Sequence, residues 1–145
     1  MTIKNYIDNI NERFKLGNAT EHTFRGDLQQ LIESLVPTVR ATNEPRRQSC
    51  GAPDYVLTVN EIPVGFIEAK NIGDKDLDGI KETGNLEQFK RYKASLDNLI
   101  FTDYINFHLY RAGDFVIKIA IGEITPKGIN PILDNFPEFE NFIKD

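Results

Sequence analysis

The chain has 145 residues, 40% hydrophobic and 27% charged, with a formal net charge of −5 and one cysteine. That is about one domain's worth of a soluble globular protein; Cys50 alone can form neither an internal disulfide nor a thiolate metal cluster. Two histidines (His22 and His108), 22 Asp+Glu against 17 Lys+Arg, and a polar N-terminus argue against a zinc site, a secreted chain and a module that grips nucleic acid by bulk charge. No apolar run nears the ~20 residues that span a bilayer, so no membrane association is expected. A reduced, cytoplasmic setting fits.

Ile3, Tyr6, Ile7, Ile10 and Phe14 recur at helical spacing and predict an amphipathic helix over 3–16, stopped by Gly17. Thr20 as N-cap and a stripe of Phe24, Leu28, Leu31, Ile32 and Leu35 predict a second helix that runs to Pro37. The period then falls from about 3.6 to 2. Thr38–Thr42 reads as a short strand, and Asn43–Pro53 as a polar loop. Tyr55–Val59 and Val64–Ala69 read as a hairpin closed by Asn60-Glu61-Ile62-Pro63. A charged loop with Gly73 and Gly79 leads to a helix at about Gly84–Leu96, its core stripe made of Leu86, Phe89, Leu96 and the alkyl stem of Lys93.

Leu99–Thr102, Asn106–Tyr110 and Phe115–Ile121 are further strands, with a tight turn at Ala112-Gly113-Asp114. Phe136, Phe139, Phe142 and Ile143 recur at near-helical spacing in the tail, a pattern of packing rather than of a ligand box. The order α-α-β-β-β-α-β-β-β, then a short helix, implies an α/β domain with a mixed central sheet flanked by helices. The expected division is a domain over 1–130, with 131–145 a short helix or linker toward a following domain.

Chemistry concentrates on the hairpin. Glu68 and Lys70 are two apart on one strand and share a face, while Ala69 points to the other. Closing the hairpin brings Asp54 toward the Glu68 end. Two carboxylates and an ammonium then converge at the edge of an otherwise apolar sheet. Asp54 and Glu68, with the main-chain carbonyl of Ala69, suit Mg²⁺, which takes few carboxylates and keeps waters and phosphate oxygens. Such an ion polarises phosphate and acidifies water, and Lys70 could position that water or meet the developing charge. The arrangement suits hydrolysis of a phosphodiester.

Pro53-Asp54 followed by Glu68-Ala69-Lys70 at the end of the next strand resembles the PD-(D/E)xK nuclease superfamily, which implies a restriction-endonuclease-like core. Glu21 sits where many members carry an acidic residue that helps hold the metal. Gln88 and Tyr92, at i and i+4 in Gln88-Phe89-Lys90-Arg91-Tyr92, resemble the QxxxY motif of the RecB-type branch. Arg40-Ala41-Thr42-Asn43-Glu44-Pro45, Cys50-Gly51-Ala52-Pro53-Asp54, Gly65-Phe66-Ile67-Glu68-Ala69-Lys70 and Glu87-Gln88-Phe89-Lys90-Arg91-Tyr92 are similar to the N-terminal nuclease domains of single-polypeptide restriction–modification enzymes, Type ISP and Type IIG-like. The similarity covers about residues 20 to 112.

The resemblance implies a Mg²⁺-dependent DNA endonuclease domain, with Mn²⁺ able to substitute. Asp54, Glu68, the Ala69 carbonyl and Glu21 would hold metal, Lys70 would assist the nucleophile, and Gln88 would orient a group with Tyr92 in support. It further implies products with 5′-phosphate and 3′-hydroxyl ends. Double-stranded DNA would be held mostly by other domains, with helicase and methyltransferase domains in the same polypeptide and a second nuclease domain for double-strand cleavage. Arg25, four residues after Glu21, is either its partner or a phosphate contact. Arg46 and Arg47 are either a solvated loop or DNA-backbone contacts. The alternatives are a stand-alone structure-selective nuclease, of resolvase or repair type, and a non-catalytic module on the same fold.

Overall fold

A computed structural model describes residues 1–16, 24–43, 54–70, 72–73 and 98–144. Helix α1 spans Ile3–Lys15, close to expectation, and the Thr2 hydroxyl caps it by accepting the Asn5 N–H at 3.1 Å. Arg13 and Lys15 in its last turn complement the helix dipole. Helix α2 spans Arg25–Leu35 and ends just before Pro37, as its stripe requires. The expected N-cap, Thr20, and the helix expected near 84–96 lie outside the described residues. Among the described residues, no helix is long and apolar enough to cross a membrane.

Strands β1 (Arg40–Asn43), β2 (Tyr55–Val59), β3 (Ile62–Ala69), β4 (Leu99–Thr102), β5 (Asn106–Arg111) and β6 (Asp114–Ala120) form one sheet in chain order. Neighbours are antiparallel except β3 and β4, which run parallel. The sheet is therefore mixed, as expected, and mostly antiparallel. A parallel pair needs a crossover of roughly a dozen residues or more, and the connection from Ala69 to Leu99 is long enough to supply it. Ala41, Tyr55, Ile67, Ala69, Ile100, Phe107, Leu109 and Ile119 face α1 and α2 in a single core. On the opposite face Phe101, Tyr110 and Phe115 meet edge to face, with centroids 5.4 and 5.6 Å apart.

Two elements join the core from the end of the chain. Helix α3, Phe136–Lys144, follows a 3₁₀ turn at Leu133–Asn135, and buries Phe139 and Phe142 in the same core. A second hairpin, β7 (Gly122–Thr125) and β8 (Gly128–Pro131), was not expected from the sequence. It packs on α1, where the Ile129 N–H donates to Asn11 Oδ1 at 2.8 Å. Gly128 has φ +120°, and a Cβ there would collide with Asn11 Oδ1 and come within 2.9 Å of Lys15 Cε. Gly128→Ala is expected to cost about 2 kcal/mol through strain and lost fit. Urea unfolding would check this, and an unchanged midpoint would show that α1 and the hairpin move apart freely.

The two helices are braced by Arg13, whose Nε lies 2.8 Å from Asp27 Oδ2. The Asp27 side chain is 8% exposed against 47% for Arg13. Burial raises the Asp27 pKa above 3.8, and the Arg13 guanidinium beside it lowers it only in part. The folded state thus binds this proton more tightly than the unfolded chain does. The resulting stabilisation is fully present below the ordinary carboxylate pKa and is lost as pH rises through the raised one. The stability of the wild type relative to Asp27→Asn should therefore increase on acidification from neutral pH. Melting both proteins across that window checks the sign.

Candidate functional site

The hairpin that carries the site is set by its turn and by one bulge. Asn60 (φ 51°) and Glu61 (φ 69°) both adopt left-handed backbone, so the turn has two residues, and Val59 pairs with Ile62. The expected four-residue connection is shorter than predicted because Ile62 and Pro63 join the strand. Pro63 is tolerated because β4 pairs only with Phe66–Ala69, so among the described residues no strand pairs with Pro63 on that side.

From that turn alone, Tyr55 would lie opposite Phe66. The register shifts between Leu57 and Thr58, with Val64 as the additional residue, and Tyr55 instead meets Ile67. A slip of one residue exchanges the two faces of a strand. The bulge therefore keeps Tyr55, Ile67 and Ala69 in the core and sets Asp54 level with Glu68.

The Asp54 carboxylate is held at both oxygens. Oδ2 accepts the Ala69 N–H at 2.8 Å, which ties Asp54 to the strand that carries Glu68 and Lys70. Oδ1 accepts from Arg25 Nη2 at 2.6 Å, and the side chains of this ion pair are only 12% and 10% exposed. Glu68 is 4% exposed and sits in register with Phe101 of β4. The Lys70 N–H donates to the Thr102 carbonyl at 2.8 Å, extending the parallel pairing one residue past β3. Asp54, Glu68, Ala69 and Lys70 are thus gathered at one end of β2 and β3.

Arg25 has a partner that neither sequence alternative named, Asp54, which it reaches across 29 residues of chain; Glu21, its expected partner, lies outside the described residues. Tyr55 helps to place Arg25. Its hydroxyl donates to the Arg25 carbonyl at 2.8 Å, fastening the first turn of α2 to β2. Burial pushes the Tyr55 phenol far above its ordinary pKa, so it remains a donor at any working pH. Tyr6 is raised in the same way, and donates to the Tyr104 carbonyl at 2.6 Å.

Asp103 was also missed in the sequence. It is 2% exposed, and its carboxylate accepts the N–H groups of Ile105 (3.2 Å), Asn106 (2.7 Å) and Gly73 (3.1 Å). It shapes the β4–β5 turn and anchors Gly73, three residues past Lys70. The local signal was an aspartate followed two and three residues later by amides it can cap, in Asp103-Tyr104-Ile105-Asn106.

Glu21, Gln88 and Tyr92 lie outside the described residues, as do Arg46, Arg47 and Cys50. Among the described residues, no group of three or more His, Cys, Asp or Glu could hold a metal ion. The described oxygen donors at the strand end are Asp54, Glu68 and the Ala69 carbonyl. Such hard donors suit Mg²⁺ or Mn²⁺ rather than a thiophilic metal. Each oxygen of Asp54 has two lone pairs, so an N–H on each leaves acceptor capacity.

No curated protein matches the chain. Among solved structures it resembles a chain of a cryo-electron-microscopy structure described as a DrdV–DNA complex. The TM-score is 0.65 with 22% sequence identity, over 81% of this chain and 12% of that one. This likeness shows a shared fold, carried there as a small part of a much longer polypeptide. A family model described as Type I restriction enzyme R protein N terminus (HSDR_N) matches residues 36–118, from the end of α2 through most of β6. That span covers more than half of the chain and includes Asp54, Glu68 and Lys70. The chain belongs to the HSDR_N family, a nuclease-type domain of restriction enzymes.

Proposed function

We propose that this chain is the DNA-cleaving module of a larger cytoplasmic restriction–modification enzyme and hydrolyses phosphodiester bonds with Mg²⁺. The observation that carries the reading is the hydrogen bond from the Ala69 N–H to Asp54, which sets one carboxylate beside a second, buried one on a fold of this family. Burying Glu68 is costly unless its charge is compensated. A buried glutamate beside an ion-paired aspartate, with a lysine next to them, fits cation-assisted chemistry better than it fits a strand edge.

Asp54, Glu68 and the Ala69 carbonyl would hold Mg²⁺, with Glu21 as a further ligand. When bound, the ion would supply Lewis-acid polarisation of phosphate and acidification of water. Ala69 and the bulge orient Asp54, while Lys70, on the same strand face as Glu68, offers its ammonium to the attacking water or to charge developing on phosphate. Gln88 and Tyr92 would orient a group of the site from the following helix.

The sequence motifs favour a single-polypeptide enzyme of Type ISP or IIG-like organisation. The 12% share of the matched chain is compatible with that arrangement. Helicase and methyltransferase domains would hold the duplex and choose the target, and a second nuclease domain would complete a double-strand break. The net charge of −5 agrees with a module that leaves DNA binding to its neighbours. The test is plasmid cleavage by the protein of the whole reading frame, with Mg²⁺, with Mn²⁺ and with chelator. Metal-dependent nicking is expected. Cleavage unaffected by chelator would overturn the metal assignment.

A further inference from the structure

The ion pair between Arg25 and Asp54 occupies the same carboxylate that the metal reading assigns to a divalent cation. We infer that Arg25 is a built-in competitor of that cation, a positioning residue that holds Asp54 neutralised until metal displaces its guanidinium. This rests on the metal-centre reading above and adds to it a residue outside the recognised motifs.

Four observations support it. The pair is short, at 2.6 Å, and shielded, with both side chains about nine-tenths buried. In such surroundings a full positive charge beside a divalent ion is strongly repelled, far more than in water. The guanidinium also comes from another element, since Arg25 opens α2 whereas Asp54 precedes β2. Its main chain is fixed by the Tyr55 hydroxyl, so the side chain can move while the helix end stays. Asp54 is meanwhile retained on β3 by the Ala69 N–H at its other oxygen. Losing Arg25 therefore frees Oδ1 without releasing the carboxylate from its strand. A guanidinium displaced in this way would remain next to the site.

The test measures Mn²⁺ binding to the chain by electron paramagnetic resonance of the free ion, for wild type, Arg25→Met, Arg25→Lys and Asp54→Asn. Arg25→Met, similar in length but uncharged, should bind Mn²⁺ about tenfold more tightly than wild type. Arg25→Lys keeps the charge and should stay within about threefold of wild type. Asp54→Asn should lose the site. A second readout uses the wild type alone, in case Arg25→Met fails to fold. Saturating Mg²⁺ should shift the Arg25 guanidinium nitrogen resonances and speed their proton exchange.

Equal or weaker Mn²⁺ binding by folded Arg25→Met, while Asp54→Asn still abolishes the site, would overturn the inference and leave the metal centre standing. Arg25 nitrogen resonances unmoved by a Mg²⁺ concentration that fills the site would do the same. Mn²⁺ binding that is identical in wild type and Asp54→Asn would instead overturn the metal-centre reading, and the inference with it.

Discussion

Asp54→Asn in the whole enzyme is expected to reduce DNA cleavage by at least about a thousandfold. Lewis-acid stabilisation of the transition state amounts to several kcal/mol, and each 1.36 kcal/mol is about tenfold in rate. Asparagine is the informative replacement because of what surrounds the carboxylate. Its amide oxygen can still accept from Arg25 or from Ala69, so the hairpin end and the first turn of α2 keep a connection. Alanine would leave the largely buried Arg25 guanidinium without this partner, which costs about 3–5 kcal/mol for a buried pair and would mix loss of fold with loss of chemistry.

Lys70→Ala should lower the rate by about a hundredfold or more, since on the proposed reading it removes the cation that meets developing charge. The main-chain N–H of Lys70 bonded to the Thr102 carbonyl is retained in this variant, so the end of the parallel pairing keeps its hydrogen bond. Rates are to be compared with circular dichroism on the same samples. Undiminished cleavage by folded Asp54→Asn or Lys70→Ala would remove these residues from the reaction.

The second large effect concerns the end of the chain. Phe139→Ala should destabilise the protein by about 3–5 kcal/mol, the usual cost of emptying an aromatic core position. The ring is fully buried, with its centroid 4.8 Å from that of Phe107 on β5 and 5.9 Å from that of Phe142. For a domain of this size, the melting temperature should fall by roughly 10–20 °C. Ile62→Ala is the control, since that side chain is 65% exposed and should shift the melt by little. A melt unchanged in Phe139→Ala would mean that α3 is a detachable appendage. A large drop would mean that the segment from Pro131 onward is structurally part of the domain it follows.

How far the fold was legible depended on the range of the forces involved. Strands β2 and β4 were bounded correctly because alternation and flanking turn residues act over a few neighbours. Helix α1 was equally clear, since one stripe of Ile3, Tyr6, Ile7 and Ile10 supplies both its period and its buried face. The β7–β8 hairpin was illegible for the opposite reason. Gly122-Glu123-Ile124-Thr125 carries one large apolar residue and gives no strand pattern, and the hairpin is held through Ile129 by Asn11 of α1, more than a hundred residues away.

The hairpin turn shows a subtler gap. A glutamate at positive φ goes against intrinsic preference, so nothing in Asn60-Glu61-Ile62-Pro63 pointed to a two-residue turn with a bulge behind it.

The sequence by itself indicated that an aspartate, a glutamate and a lysine lie together at one end of two adjacent strands, because strand period and hairpin closure are local. That the single cysteine can form no internal disulfide followed from composition alone. Only the tertiary structure decided which oxygen of Asp54 meets which donor. It showed that a bulge, rather than the turn, brings Asp54 level with Glu68, and that Arg25 of a separate helix occupies that carboxylate. Those choices depend on packing between elements far apart in the chain. There, the burial of Tyr55 and the cost of leaving a charge unpaired outweigh any preference a short stretch of sequence can express.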